Sequence, residues 1–395
     1  RSTQGVSSAA SDVYKRQDIL ALTWQIQTTS GKQNIIPKLY DKVLDVTGRD
    51  FIIDPKRTQP REVIRAGKNV IEVILKFETK FGQCEGVVRL YEDLEVPRAF
   101  KAWNFLTALS DLNSSFNKKE DEYENTLEGP NWLDVRTEDR LYKDRDPEVL
   151  VVGSGQAGLS IAARLKQQNI DTLVIDKNER VGDNWRNRYH SLKLHNQTHV
   201  NHLPYMPFPP TWPTYIPKDK LAGWFEYYAE SMELNVWTKT TFISAEYDKV
   251  EKKWKVILKL FDGNERIMKP KHIVMAVGVS SVPNRTQIPG MEGYEGKVIH
   301  STDYSSGRDY KGKNVLVFGT GTSAHDVAQD LYVHGASVKI VQRSPSMVVN
   351  VEPSAQLPYQ LYSEGPNTDD CDLITISTPL QVPVSYTHLT LPTIL

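Results

Sequence analysis

Apolar residues change rhythm several times along this chain, and each change predicts a different element. Around residues 35–43 they recur at helical spacing. Runs at 69–79, 84–91 and 100–109 instead carry the β-branched, aromatic and alternating pattern of strands. No glycine-rich nucleotide signature falls within 18–112, so this stretch reads as a small α+β domain. Residues 111–125 are polar and charged with few apolar positions, and 131–142 read as a short connecting helix, which makes 113–146 a linker.

A third pattern comes next, in which short all-apolar runs end in glycine turns. Val149, Leu150, Val151 and Val152 lead into Gly153-Ser-Gly155-Gln-Ala-Gly158, and Val315, Leu316, Val317 and Phe318 lead into Gly319-Thr-Gly321-Thr-Ser-Ala324. Each turn opens a helical pattern, the first over 159–168. A fully buried parallel strand reads as a continuous apolar run, and a pyrophosphate at a helix N-terminus needs bare backbone N–H groups that a side chain would block. The strand after the first turn, 172–175, ends in Asp176 and Lys177, and the carboxylate suits ribose hydroxyls. The strand after the second, 338–341, runs through Gln342 into Arg343 and Ser344, where an arginine accommodates a 2′-phosphate. The first unit therefore reads as an FAD site and the second as an NADPH site. The plainer alternative is that both sets of glycines make tight turns in ordinary βαβ units. Between them, 219–231 reads as a helix and 255–261, 267–268 and 273–277 as strands, the last ending at Gly278.

The expected fold class is α/β, with two Rossmann-like dinucleotide-binding domains of the two-dinucleotide flavoprotein type behind a small α+β domain. The boundaries fall at 18–112, 113–146, 147–297 for the flavin domain and 298–381 for the NADPH domain. Residues 1–17 and 382–395 resemble translated adapter sequence and are set aside, so the chain reads as a fragment.

Composition narrows the function. Among 395 residues, 48 Lys and Arg balance 49 Asp and Glu, so no global field draws the chain to nucleic acid or an anionic membrane. No apolar run approaches the ~20 residues of a membrane span, and no secretory h-region opens the chain; the expected location is cytoplasmic. The two cysteines, Cys84 and Cys371, form no Cys-x-x-Cys, which argues against thiol chemistry beside a flavin. His195, His199 and His202 lie in a proline-flanked loop without the register of a zinc site, so no metal is expected.

Further segments carry a family resemblance. Tyr294-x-Gly296-x-x-x-His300-x-x-x-Tyr304 is close to the signature of the flavin-containing monooxygenases, with Tyr at the leading position. Gly182-Asp-Asn-Trp185-Arg186 resembles their flavin-site turn, and Ala276-Val-Gly278 stands where they carry Ala-Thr-Gly. Tyr189 to His195 followed by Leu203-Pro-Tyr-Met-Pro-Phe-Pro209 is similar to the plant YUCCA-type enzymes that oxidatively decarboxylate indole-3-pyruvate. The resemblance implies FAD at Gly153, Gly155, Gly158, Asp176, Lys177, Gly182, Trp185, Arg186 and Gly278, and NADPH at Gly319, Gly321, Thr322, Ser323, Arg343 and Ser344. It places His195 and Asn196 in the catalytic region, with His195 where animal-type members carry Asn, and gives His300 a positioning role. The implied reaction uses O2, a flavin 4a-peroxide and a small organic substrate, in 2-oxo acid decarboxylation or N/S-oxygenation. It further implies that the N-terminal domain is SnoaL-like, that is, nuclear-transport-factor-like. An NADPH oxidase making hydrogen peroxide and a non-enzymatic binding module are the alternatives.

Overall fold

The computed structural model describes residues 15–378, apart from 66, 94–95, 97–98, 114–128, 280–281 and 347, together with 393–394. The chain forms two compact units. One comprises Arg1–Asn117 and Pro353–Leu391, the other Lys118–Glu352 and Pro392–Leu395.

The first unit is α+β. Strands β1 (Lys15–Ile19) and β2 (Ile26–Ser30) precede helix α1 (Lys32–Asp45), and β3 (Arg49–Ile53), β4 (Arg61–Arg65), β5 (Lys68–Thr79), β6 (Gly82–Glu92) and β7 (Phe100–Leu112) come after it. They make a seven-stranded sheet in the order β2-β1-β7-β6-β5-β3, with β4 also on β5. β5, β6 and β7 are an antiparallel meander with Val73 opposite Val88 and Val88 opposite Phe105. Helix α1 buries Ile35 and Leu39, one helical turn apart.

Two sequence-based expectations change here. Residues 15–17, set aside as foreign, form the first three of the five residues of β1, which pairs in parallel with β7. Arg16 is buried, donating to Thr107 Oγ1 and pairing with Asp18 at 3.1 Å. The expected second-nucleotide domain also ends sooner than 381, since the chain crosses to the first unit at Pro353. There the helix Thr368–Ile376 packs Leu373 and Ile374 against Ile74, Val87 and Leu106 of the sheet. Apart from Leu361, the cluster that Leu373 and Ile374 join comes from sheet residues over 250 positions away, which periodicity cannot show.

The second unit is α/β. Helix α2 (Trp132–Leu141) is capped by the Asn131 side chain, which accepts from the Leu133 and Asp134 N–H groups. Then come β8 (Val149–Val152), α3 (Gln156–Lys166), β9 (Thr172–Ile175), the single turn α4 (Asp183–Arg186), α5 (Lys218–Ser231) and β10 (Asn235–Trp237). β11 (Thr241–Asp248), β12 (Lys253–Lys259) and β13 (Glu265–Met268) form an antiparallel sheet, and β14 (His272–Met275) returns beside β8. The parallel sheet runs β10-β9-β8-β14, as expected for a Rossmann-like unit. Every residue of β8 is buried: Val149 and Val151 join a core with α3 and α5, while Leu150 and Val152 pack toward β12 and β13. The second βαβ element is β15 (Asn314–Phe318), α6 (Thr322–Val333) and β16 (Ser337–Val341), with the two strands parallel. Leu316 and Phe318 remain 50% and 54% exposed on this two-stranded sheet.

Candidate functional site

Both glycine turns place a bare helix N-terminus at the carboxyl end of a parallel strand. Gly155 caps α3 and Gly321 caps α6; neither helix has a side-chain cap or an acid in its first turn. Their leading N–H groups therefore lack intrahelical partners and carry the positive end of the helix dipole. Gly153 and Gly319 sit at φ +108° and +113°, which lets the chain leave each strand sharply. The three glycines of the first turn differ in kind. A Cβ on Gly153 or Gly158 would collide with the backbone carbonyl of Ala276 or of Gly153, whereas one on Gly155 would meet only Asn184 Nδ2, at 3.3 Å. Gly153 and Gly158 thus seal the turn against backbone neighbours, whereas Gly155 faces only the end of one side chain. At the second turn, neither Gly319 nor Gly321 has a neighbour within 4 Å of such a Cβ, and Gly278, at φ +79° beyond β14, is equally open.

The residues after the partner strands differ as their charges suggested. Asp176 is buried; its Oδ2 accepts from the Ser154 N–H (2.8 Å) and hydroxyl (2.7 Å), and its Oδ1 from the Asn178 N–H. That carboxylate braces the first glycine turn, a role that spacing alone did not reveal. Lys177 is exposed. Arg343 and Ser344 are exposed two and three residues beyond the Phe318–Val341 pair, and no hydrogen bond or ion pair holds the Arg343 guanidinium among the described residues. Thr322 and Ser323 open α6 directly after Gly321.

In the 182–186 turn, Gly182 (φ +90°) lies so close to α5 that a Cβ would strike the Ala222 carbonyl. The Arg186 guanidinium donates to the Val181 carbonyl and pairs with Asp183 and Glu226, so its observed partners all belong to the protein. Trp185 differs: its indole N–H is buried without a partner among the described residues. A buried orphan donor costs about 1–3 kcal/mol, which marks it as a place for a ligand acceptor.

His195 and Tyr189 converge on one carboxylate that sequence reasoning missed. Asp326, on α6, takes the Tyr189 hydroxyl at Oδ2, and His195 Nε2 lies 3.1 Å from the same oxygen. One turn further on, Asp330 Oδ2 accepts from the Tyr304 hydroxyl (2.5 Å) and the Gly307 N–H (2.7 Å). Burial, reinforced by these carboxylates, pushes both phenols well above their usual range, so both stay protonated donors. The available signal was Asp326 and Asp330 at i and i+4, two acids on one face of α6. Around them Tyr189, Leu192, Tyr304, Val327, Leu331 and Ala336 form one core, which joins the loop after α4 to α6. Asn196 is half-buried beside this network; its carbonyl lies 3.4 Å from Asn201 Nδ2. His300 caps the short turn Ser301–Asp303, accepting from the Thr302 N–H, and is thereby fixed as a local structural residue. His202 Nδ1 accepts from the Phe208 N–H.

Both cysteines, Cys84 and Cys371, lie in the α+β unit, where burial pushes their thiols up to about 11. The unit that carries the glycine turns thus holds no thiol among the described residues. Among those residues, no helix is long and apolar enough to cross a membrane.

Comparison with known proteins agrees with this geometry. A probable indole-3-pyruvate monooxygenase, YUCCA10 of Arabidopsis thaliana, is 32% identical over 206 residues, covering 52% of this chain and 54% of that protein. The indole-3-pyruvate monooxygenase YUCCA1 of Oryza sativa subsp. japonica is 34% identical over 199 residues, covering 50% and 48%. The chain spans about half the length of the curated relatives it matches. Among solved structures, a mutant flavin monooxygenase from Stenotrophomonas maltophilia shares the fold at a TM-score of 0.50 and 20% identity, over 56% of this chain and 64% of that one. The profile of the pyridine nucleotide-disulphide oxidoreductases matches residues 150–361, from within β8 to beyond β16. With both glycine turns, both parallel strand pairs and the 182–186 turn inside that match, the chain belongs to the pyridine nucleotide-disulphide oxidoreductase family, whose flavin monooxygenases use FAD and NADPH.

Proposed function

We propose that this chain carries the dinucleotide-binding part of an NADPH- and FAD-dependent monooxygenase acting on a small organic substrate. One observation carries the reading: two uncapped helix N-termini, each behind a parallel strand, differ in the residue beyond the partner strand. At the first it is a buried Asp176, and at the second an exposed Arg343 with no partner among the described residues. The residues fit the two groups. A Cβ would meet nothing within 4 Å at Gly321 and only the end of the Asn184 side chain at Gly155, and Trp185 offers a buried N–H with no acceptor among the described residues. FAD would lie along Gly153, Gly155 and Gly158 with Asp176, Trp185 and Gly278, and NADPH along Gly319, Gly321, Thr322 and Ser323 with Arg343 and Ser344. Lys177, Gly182 and Arg186 would hold the edge of the first site.

Held there, NADPH and FAD would together supply the two electrons that reduce O2, with one oxygen going to the substrate and the other leaving as water. The protein contributes orientation, electrostatics and exclusion of water. Backbone N–H groups at α3 and α6 neutralise pyrophosphate charge, and Arg343 distinguishes a 2′-phosphate from a hydroxyl. Tyr189, against whose cluster Trp185 packs, forms with His195 a fixed hydrogen-bonded edge on Asp326. The likeness of residues 189–209 to the indole-3-pyruvate monooxygenases supports a 2-oxo acid as substrate, with a soft nitrogen or sulfur as the competing class. The order of helix and sheet in the first unit supports a SnoaL-like domain.

The test is substrate-coupled NADPH consumption by the full chain with FAD, against a panel of 2-oxo acids, thioethers and amines. Oxygenated product in step with NADPH supports the proposal. Consumption that yields only hydrogen peroxide favours an oxidase, and failure to bind either cofactor overturns it.

A further inference from the structure

We propose that Asp326 is a positioning residue that couples the second dinucleotide site, through Tyr189 and His195, to the 182–186 turn of the first, whose Trp185 packs against the Tyr189 cluster. Gly321 caps α6, and Asp326 lies five residues on, a little over one turn from the N–H groups that would meet pyrophosphate. The same carboxylate oxygen takes the Tyr189 hydroxyl and faces His195 Nε2 at 3.1 Å. Tyr189 and His195 both come from the loop after the 182–186 turn, so a displacement of α6 must move them or break these bonds. The joint is stiff. Tyr189, Leu192 and Tyr304 pack against Val327 and Leu331 of α6, and the His190 N–H donates to the Ser305 carbonyl at 2.8 Å.

Asp326 also selects a proton position. A carboxylate facing Nε2 favours the tautomer that carries its proton there, which leaves Nδ1 as the acceptor nitrogen of His195. Packed interfaces of this kind switch between discrete arrangements, so a ligand that fixes α6 fixes the Tyr189–His195 edge with it. By linkage, occupancy of one site then changes affinity at the other, reciprocally.

The inference rests on reading residues 319–324 as a pyridine-nucleotide site. It is tested by titrating NADP+ into the full chain with and without bound FAD, monitored by protein fluorescence, for the wild type, Asp326→Leu, Asp326→Asn and Tyr189→Phe. Nitrogen-15 spectra of the histidines report the His195 tautomer in the same proteins without NADP+. The wild type should show FAD changing NADP+ affinity by about fivefold or more. Asp326→Leu should bring that ratio to within about twofold of unity and lose the Nε2–H signature of His195. Asp326→Asn keeps one acceptor oxygen and should recover part of both, and Tyr189→Phe, which removes a single hydroxyl, should halve the coupling or more while retaining the tautomer. NADP+ that binds with a ratio unchanged by Asp326→Leu, or with no coupling in the wild type, overturns the inference alone. If NADP+ does not bind at all, the site reading falls and the coupling with it, whatever the histidine spectra show.

Discussion

Gly155 and Gly158 stand three residues apart in one turn, and the structure asks different things of them. A Cβ on Gly158 would collide with the Gly153 carbonyl, while one on Gly155 meets only the end of the Asn184 side chain. Gly158→Ala is therefore expected to lower the melting temperature by several degrees, and Gly155→Val to leave it nearly unchanged but yield colourless protein. Thermal melts read alongside flavin absorbance check the pair; a yellow, fully loaded Gly155→Val protein contradicts the assigned site. Arg343, exposed and without an observed partner among the described residues, has a similarly separable role. Its loss in Arg343→Ala should cut the preference for NADPH over NADH roughly tenfold, the worth of a charge-assisted phosphate contact, with no change in melting. The ratio of dissociation constants for the two nucleotides measures it.

At the scale of elements, the helix Thr368–Ile376 shows how far apart in sequence a structural pair can lie. Asp370 is fully buried, held by Arg57 Nη1 (2.8 Å) and by the Thr58 N–H (2.8 Å) and hydroxyl (2.5 Å). Arg89 reaches the carbonyls of Ile374 and Ser377, and Arg65 makes a two-pronged pair with Glu364 at 2.7 Å on both arms. Burial pushes the Asp370 and Glu72 carboxyls up, but their arginine and hydroxyl partners outweigh it, so both sit below the usual range. Groups held low in the fold stabilise it fully above their unfolded values of about 4, and that stability is lost as pH falls through the folded values. Acid should thus unfold this unit progressively below about pH 4, and Asp370→Asn should flatten the slope there, as circular dichroism against pH would show. Ile374→Ala should cost about 2–5 kcal/mol by opening a cavity against Ile74, Val87 and Leu106.

The whole molecule is built of a unit whose two pieces flank the other along the chain. Stopping the chain at Glu352 should therefore injure the N-terminal unit, not the one nearer the cut. Hydrogen exchange should show lost protection in β5, β6 and β7, with the strands around the glycine turns retaining theirs; the reverse pattern would contradict this division. Much of the dinucleotide unit was legible in advance. β8, β9, β14, α3 and α5 were read within a few residues, because a buried parallel strand needs an unbroken apolar run and a sharp exit from it at positive φ needs glycine. β5, β6 and β7 were legible by their length and residue type. β1 to β4, β10 and β11 were not, since strands with few apolar residues take their identity from the neighbour they pair with. Local chemistry, then, fixed in the sequence the two helix N-termini and the charged residue beyond each partner strand, since these depend on residues within a single βαβ unit. Only the tertiary structure decided that Asp326 meets Tyr189 and His195, that Asp330 holds Tyr304, and that residues 353–378 complete the first unit. Those contacts join segments from 23 to more than 300 residues apart, and their partners are chosen by packing that no local pattern encodes.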